Sequence, residues 1–266
     1  MNRMLVHTNG MNKVVTRAGG NRMHGSGGDN SSDSSAWYST DFSEFANAAA
    51  IQSMSWYTGI WQDTVWDTTD GMSLDTTEGY GTSDRCLKTN FPSGAYDTNG
   101  RTINMALPTT TTDYWSEFWV KISTSFTSNG SNANNPDYKF IFWALQPGDG
   151  RNEIKIGNGG PMNELACVAH AWTDTLFITA ANDLNSGIWH RYRVHNKVTG
   201  GANGIFSVEF WDGTNAAILL EQTPNIAKTS MDYLIMGINR NKIALVDMWI
   251  KWGKVTLYNS DPGWGF

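Results

Sequence analysis

The segment DYWSEFWVKIS, residues 113–123, divides by parity. Tyr114, Ser116, Phe118, Val120 and Ile122 form one file, mostly apolar. Trp115, Glu117, Trp119 and Lys121 form the other. Alternate side chains of a β-strand point to opposite faces, so this segment covers a core with one file only as a strand. A helix would spread the apolar file around its circumference. Further strand candidates follow at short intervals: RCLKTNF (85–91), RTINMAL (101–107), YKFIFWAL (138–145), NEIKIG (152–157), ELACVAHAW (164–172) and DTLFITA (174–180). After them come IWHRYRVHNK (188–197), IFSVEFW (205–211), AAILLEQ (216–222), YLIMGI (233–238) and ALVDMWIKWGKVTLY (244–258). Gly, Asn, Asp or Pro stands in many of the connections, as turns require. No long stretch has helical periodicity, and no repeat recurs at a fixed period. The expected fold is all-β and without helices, a β-sandwich or a barrel.

At 266 residues the chain can bury a substantial core. The net charge of −6 argues against a nucleic-acid binder. Residues 1–36 carry Arg3, Lys13, Arg17 and Arg22 against Asp29 and Asp33, a net of +2, which leaves −8 on the remainder. Within them GGNRMHGSGGDNSSDSS (19–35) has the composition of a flexible linker. The expected organisation is a basic arm, residues 1–36, and one sandwich domain, residues 37–266. Such an arm orders only against a surface, that of its own domain, a neighbouring copy or a larger assembly, and a homo-oligomer or larger assembly through residues 1–36 is expected. The N-terminus lacks the apolar core of a signal peptide, and no apolar run has membrane-spanning length. A cytoplasmic origin without general secretion, and no membrane span, are therefore expected. Cys86 and Cys167 allow a single disulfide but suit buried free thiols better.

The files facing away from the core hold the candidate site. In 244–258, Asp247, Trp249 and Lys251 repeat the acid–indole–amine order of Glu117, Trp119 and Lys121, as two strands sharing a sheet would. In 188–197, Trp189, Arg191, Arg193, His195 and Lys197 share a face, and Trp211 with Glu209 lies across the next turn. Sugar rings offer apolar faces to indoles and hydroxyls to charged groups, so these files suit a polysaccharide or surface glycan. The expected ligand-binding residues are Trp115, Glu117, Trp119, Lys121, Asp247, Trp249, Lys251, Arg191, Arg193 and Trp211. Two platforms compete: the 115–121 and 247–251 faces, or the basic 189–197 face with Trp211. Catalytic candidates are His195 with Arg193, and Glu117 with Asp247 if their strands pair. No cofactor is called for. Asp137, Asp149 and Asp174 are loop carboxylates open to Ca²⁺ but without a calcium motif. His7, His24 and His170 show no metal spacing.

The run GIWHRYRVHNKVTGGANGIFSVEFWDGT, with DYWSEFWVKIS, ALVDMWIKWGKVTLY and the early DFSEF, resembles concanavalin A-like lectin/glucanase domains over residues 37–260. The resemblance implies a two-sheet antiparallel β-sandwich, a jelly roll with one concave face, here with an extended N-terminal arm. That superfamily holds lectins, glycan-binding modules, hydrolases, polysaccharide lyases and virion proteins. The laminarinase cluster Glu-x-Asp-x-(x)-Glu and the alginate-lyase strands Arg-x-Glu-x-Arg and Gln-x-His are missing here. The leading expectation is a non-catalytic glycan-binding or decoration protein, with a phage virion surface as its location. A lyase or hydrolase, or a purely structural assembly protein, are the alternatives.

Overall fold

A computed structural model describes residues 13–16, 36–54, 71–94, 101–107, 112–124, 138–144, 151–156, 164–169, 174–179, 187–214, 217–222, 230–231, 233–239 and 247–266. Its strands are β1 (Lys13–Thr16), β2 (Ala36–Thr40), β3 (Met72–Asp75), β4 (Cys86–Phe91), β5 (Arg101–Ala106), β6 (Asp113–Ile122), β7 (Tyr138–Ala144) and β8 (Arg151–Ile156). They continue as β9 (Glu164–Ala169), β10 (Asp174–Thr179), β11 (Trp189–Lys197), β12 (Ile205–Trp211), β13 (Ile218–Gln222), β14 (Tyr233–Asn239) and β15 (Met248–Tyr258). The expected absence of helix is corrected by one short element, α1 (Ala48–Gln52). Asn47 caps it, its Oδ1 accepting the Ala50 N–H at 3.0 Å, and the alanines that follow favour helix.

The strands form two antiparallel sheets. The nine-stranded sheet runs β1-β13-β12-β11-β6-β15-β4-β3, with β2 also on β15. The six-stranded sheet runs β10-β9-β8-β7-β14-β5. Phe118, Val120 and Ile122 of β6, Tyr192 and Val194 of β11, and Phe206, Val208 and Phe210 of β12 share one buried cluster with Ile103 and Met105 of β5, Ile154 of β8, and Leu234 and Met236 of β14. These belong to the apolar files of the sequence, so one face of the large sheet covers the core and the other points away from the second sheet. The expected two-sheet β-sandwich is the observed fold.

Lys13–Thr16, inside the expected arm, pairs with β13 as an edge strand of the domain's own sheet. The linker 19–35, with His24, lies outside the described residues, as do His7, Asp137, Asp149 and His170. Asp174 opens β10. Cys86 is a buried free thiol, pushed up to about 12 mainly by burial. No helix among the described residues is long and apolar enough to cross a membrane.

His190 lies on the core side of β11, fully buried, with its ring 5.5 Å from that of Phe210. Burial lowers its imidazole to about 4, and the charge of Asp212 offsets only part of this. The unfolded chain therefore binds a proton that the folded chain refuses, and stability falls as pH drops from 6.5 toward 4. Unfolding free energies from urea titrations should decline across that interval with a slope of up to about 1.4 kcal/mol per pH unit. His190→Leu should flatten this limb; an unchanged slope would refute the assignment.

Candidate functional site

β12, β11, β6 and β15 are consecutive in the large sheet, and their registers bring the polar files together on its outer face. Arg193 stands opposite Glu117 on one side and Glu209 on the other. Arg191 stands between Trp119 and Trp211, His195 between Trp115 and Ser207, and Lys197 faces Asp113. Across β6, Lys121 faces Lys251, and Lys254, Thr256 and Tyr258 face Trp119, Glu117 and Trp115. The two competing platforms of the sequence are therefore one continuous face.

The ions on it are paired. Arg193 Nε donates to Glu117 Oε2 at 2.8 Å, and its Nη1 lies 3.5 Å from Glu209 Oε1. Arg191 Nη2 donates to the same Glu209 oxygen at 3.1 Å. Both glutamate side chains keep only 12% of their exposure, so the pairing offsets a real desolvation cost. His195 Nε2 lies 2.6 Å from Asp113 Oδ1, and Lys197 donates to the other oxygen at 2.9 Å. Lys88 and Lys254 have no ion-pair partner among the described residues.

Two segments outside the strand pattern overhang this face. The first carries Tyr80, whose ring stacks on Trp119 at 4.0 Å and meets Trp189 edge-on at 5.9 Å. Like charges directly opposite destabilise a strand pair, and Lys121 and Lys251 are so placed. Glu78 resolves the conflict by accepting from both, at 2.7 Å from Lys251, and Asp75 takes Lys251 at 2.8 Å. Burial would raise the Asp75 carboxyl, but bonds from Lys251 and Thr77 outweigh it and hold it at about 2. The turn beyond is tight. Ser83 N–H donates to Tyr80 O at 3.2 Å, Gly81 has φ +66°, and a Cβ on Gly79 would lie 2.4 Å from Ser83 O. Below it, the ladder of β15 slips between Trp252 and Lys254. Gly253 occupies that bulge, where a Cβ would lie 2.4 Å from Tyr80 Cβ and 2.7 Å from the Trp189 ring. Burial first, then the charge of Glu117, pushes the Tyr80 phenol up to about 12, with Arg191 opposing. Tyr80 thus stays a neutral donor at ordinary pH.

The second overhang is Trp264. Gly263 and Gly265 have φ of +81° and +76°, and Asp261 Oδ1 accepts the Gly263 N–H at 2.7 Å. The indole lies over the Arg193 guanidinium at 5.1 Å, with Tyr258 edge-on at 5.4 Å and Phe266 stacked at 5.9 Å. Sequence parity could not find Tyr80 or Trp264, because neither lies in a strand. The available signal was local: GYG and GWG each set an aromatic between glycines.

Of the expected site residues, Trp115, Glu117, Trp119, Lys121, Trp249, Lys251, Arg191, Arg193, His195 and Trp211 all lie on this face. Asp247 does not join them. Its strand pairs with β6, but Glu117 faces Thr256, which puts Asp247 roughly 26 Å away along the strand. Asp247 is exposed and accepts the Ser93 N–H at 2.7 Å, so the Glu117–Asp247 carboxylate pair does not form. Several indoles are also less open than parity suggests. Trp115 is 8% exposed and stacked on His195 at 4.3 Å. Lys251 Nζ lies 5.0 Å from the Trp249 ring, and Arg191 lies over Trp211 at 5.1 Å. No cluster of three or more His, Cys, Asp or Glu among the described residues could hold a metal.

No family model and no curated protein matches the chain. Solved structures do. The endo-β-1,4-glucuronan lyase of the fungus Trichoderma reesei is similar at a TM-score of 0.54 and 14% identity, over 78% of this chain and 96% of that one. The PL-14 alginate lyase of the marine Aplysia kurodai is similar at 0.52 and 8%, over 70% and 86%. At these identities the likeness is one of fold.

Lys251→Met should strip Asp75 of its amine and cost about 3 kcal/mol of stability at neutral pH. The native pair stabilises above the ordinary Asp value of 3.8 and is lost as pH falls toward 2, so the cost should shrink over that interval. Urea titrations at pH 7 and pH 3 check both. Gly253→Ala should cost about 1–3 kcal/mol and weaken the near-ultraviolet circular dichroism of the Tyr80–Trp119 stack. An unperturbed spectrum would show that Tyr80 does not sit on the bulge.

Proposed function

We propose that the outer face of the nine-stranded sheet binds a polysaccharide, without catalysis, in the strip between Tyr80 and Trp264. One observation carries this reading: two glycine-flanked aromatics overhang a floor of paired Arg and Glu side chains. Aromatic edges over bidentate polar groups match a sugar ring's apolar faces and equatorial hydroxyls. Lys88 and Lys254, which have no ion-pair partner among the described residues, favour an acidic sugar such as a uronate. Arg191 and Arg193 support binding over turnover. A lyase needs a cation or amide free to neutralise the uronate carboxylate, whereas both guanidinium groups are held by glutamates and indoles. A decorating role in a larger particle, anchored through residues 1–36, belongs to the same proposal, and a monomer in sedimentation would remove it.

A second reading, polysaccharide lyase, has its own support. His195 is oriented by Asp113, Tyr258 lies two strands across on the same face, and the two fold neighbours carry lyase names. Tryptophan-fluorescence titration with glucuronan, alginate and neutral xylan oligosaccharides distinguishes the readings. Binding should favour the two acidic polymers and weaken about tenfold or more in Trp119→Ala. Growth of unsaturated-uronate absorbance, lost in His195→Ala, would establish the lyase. No binding to any of the three would remove the proposal.

A further inference from the structure

We infer that the Tyr258 end of the outer face carries a second sugar-stacking platform, formed by Trp37 with Trp264 and Phe266, so that the ligand is an extended chain rather than a single terminal sugar. The inference rests on the polysaccharide-binding reading and extends it along the sheet.

Three observations lead to it. Trp37 is 39% exposed, a large aromatic left uncovered on a strand. The pairing of β2 with β15 slips between Leu257 and Tyr258, so that Tyr258 aligns with Ala36 and Trp37 is the extra residue. A bulge re-aims a side chain, and this one leaves Trp37 outside the core that Tyr38 packs against. Second, β2 belongs to the same outer surface as the strip. Ser39 Oγ bonds Thr256 Oγ1 at 3.0 Å, and Thr256 stands opposite Glu117. Third, the segment after β15 turns at Gly263 and Gly265 and puts Trp264 against Tyr258 and over Arg193, with Phe266 stacked on the Trp264 ring.

Spacing sets the kind of ligand. Trp119 and Trp115 are four residues apart on β6, about 13 Å along the strand. Tyr258 is level with Trp115 and aligns with Ala36, so Trp37 lies at least that far from Trp119, while Trp264 reaches back over Arg193. Between Trp119 and Trp37 lie Glu117 and Arg193, which bond each other on the outer face beneath Trp264. Aromatic faces at both ends and a polar girdle in the middle match a chain of linked sugars. Each terminal ring would be stacked while the hydroxyls or carboxylates between face the ions. A single sugar would not span from Trp119 to Trp37.

The test uses glucuronan oligosaccharides graded from the dimer to the octamer, titrated against the full chain. Trp37 is exposed, so Trp37→Ala should fold normally. It should weaken the octamer about tenfold while leaving the dimer unchanged. Phe266→Ala should follow the same pattern. Trp119→Ala should weaken both lengths. If Trp37→Ala and Phe266→Ala bind the octamer like the parent while Trp119→Ala fails, the second platform is overturned and the binding reading stands. Equal losses of dimer and octamer in Trp37→Ala would also overturn it, since one site would then explain everything. If Trp119→Ala changes neither length, the binding reading falls and the second platform with it.

Discussion

Arg193 faces a glutamate on each neighbouring strand, and the outer surface of the large sheet depends on that arrangement. Apolar parity fixes which face of β11 meets the core, because a slip of one residue would turn every side chain over. It does not distinguish registers that differ by two. Charge does. Moving β11 by two residues could give both Glu117 and Glu209 to Arg191, leave Arg193 against Trp115 and Ser207, and separate Lys197 from Asp113. An arginine left half-buried without its acid costs more than the pair contributes when intact. The core thus selects the face, and the ladder of ions selects the register.

The same logic explains how much of the molecule was legible beforehand. Strand positions and faces are local properties, carried by alternation within ten residues, and 113–123, 188–197 and 205–211 show them plainly. Adjacency is not local. Asp247 and Trp249 looked equivalent to Glu117 and Trp119 because both motifs run acid, indole, amine at alternate positions. Antiparallel pairing instead lines Lys251 up with Lys121 and carries Asp247 past the end of β6. The 115–121 face and the 189–197 face looked like alternatives because nothing in either segment says that β6 and β11 are neighbours. The short helix after Asn47 was missed because five residues are too few to show a period of 3.6.

The overhangs were illegible for a different reason: they depend on backbone shapes that only glycine permits. Gly79 and Gly253 are positions where a Cβ would strike backbone or a neighbouring ring, while Gly81, Gly263 and Gly265 hold left-handed φ. Tyr80 is therefore fixed from three sides: by its turn, by the bulge beneath it, and by the Glu78 and Asp75 bonds to two lysines. A side chain held this way loses little freedom when a ligand arrives, and preorganisation of that kind raises affinity without adding contacts. The arrangement also means that Trp119 offers a ligand its edge and the outer side of Tyr80 rather than an open indole face.

The distinction between binding and chemistry on this surface turns on the state of its cations. Both fold neighbours are named as lyases, yet a shared sandwich fixes only where strands run, and function resides in particular side chains. Eliminating across a uronate requires a group that pairs with the sugar carboxylate as charge moves onto it, next to a base that takes the proton. His195 with Asp113 could serve as the base. The neutralising group is the harder requirement. Arg193 has glutamates in its plane and Trp264 above it, and Arg191 is bonded to Glu209 and covered by Trp211. A substrate carboxylate would have to displace a glutamate from a partly buried pair, and its gain would be offset by the charge it unpaired. Hydroxyls face no such competition, because they accept from the outer N–H groups and donate to the same carboxylates without breaking the ladder. A uronate chain on this face would find the amines of Lys88 and Lys254, which have no ion-pair partner among the described residues, and an electrostatic contact at the edge would orient a chain without acting on it.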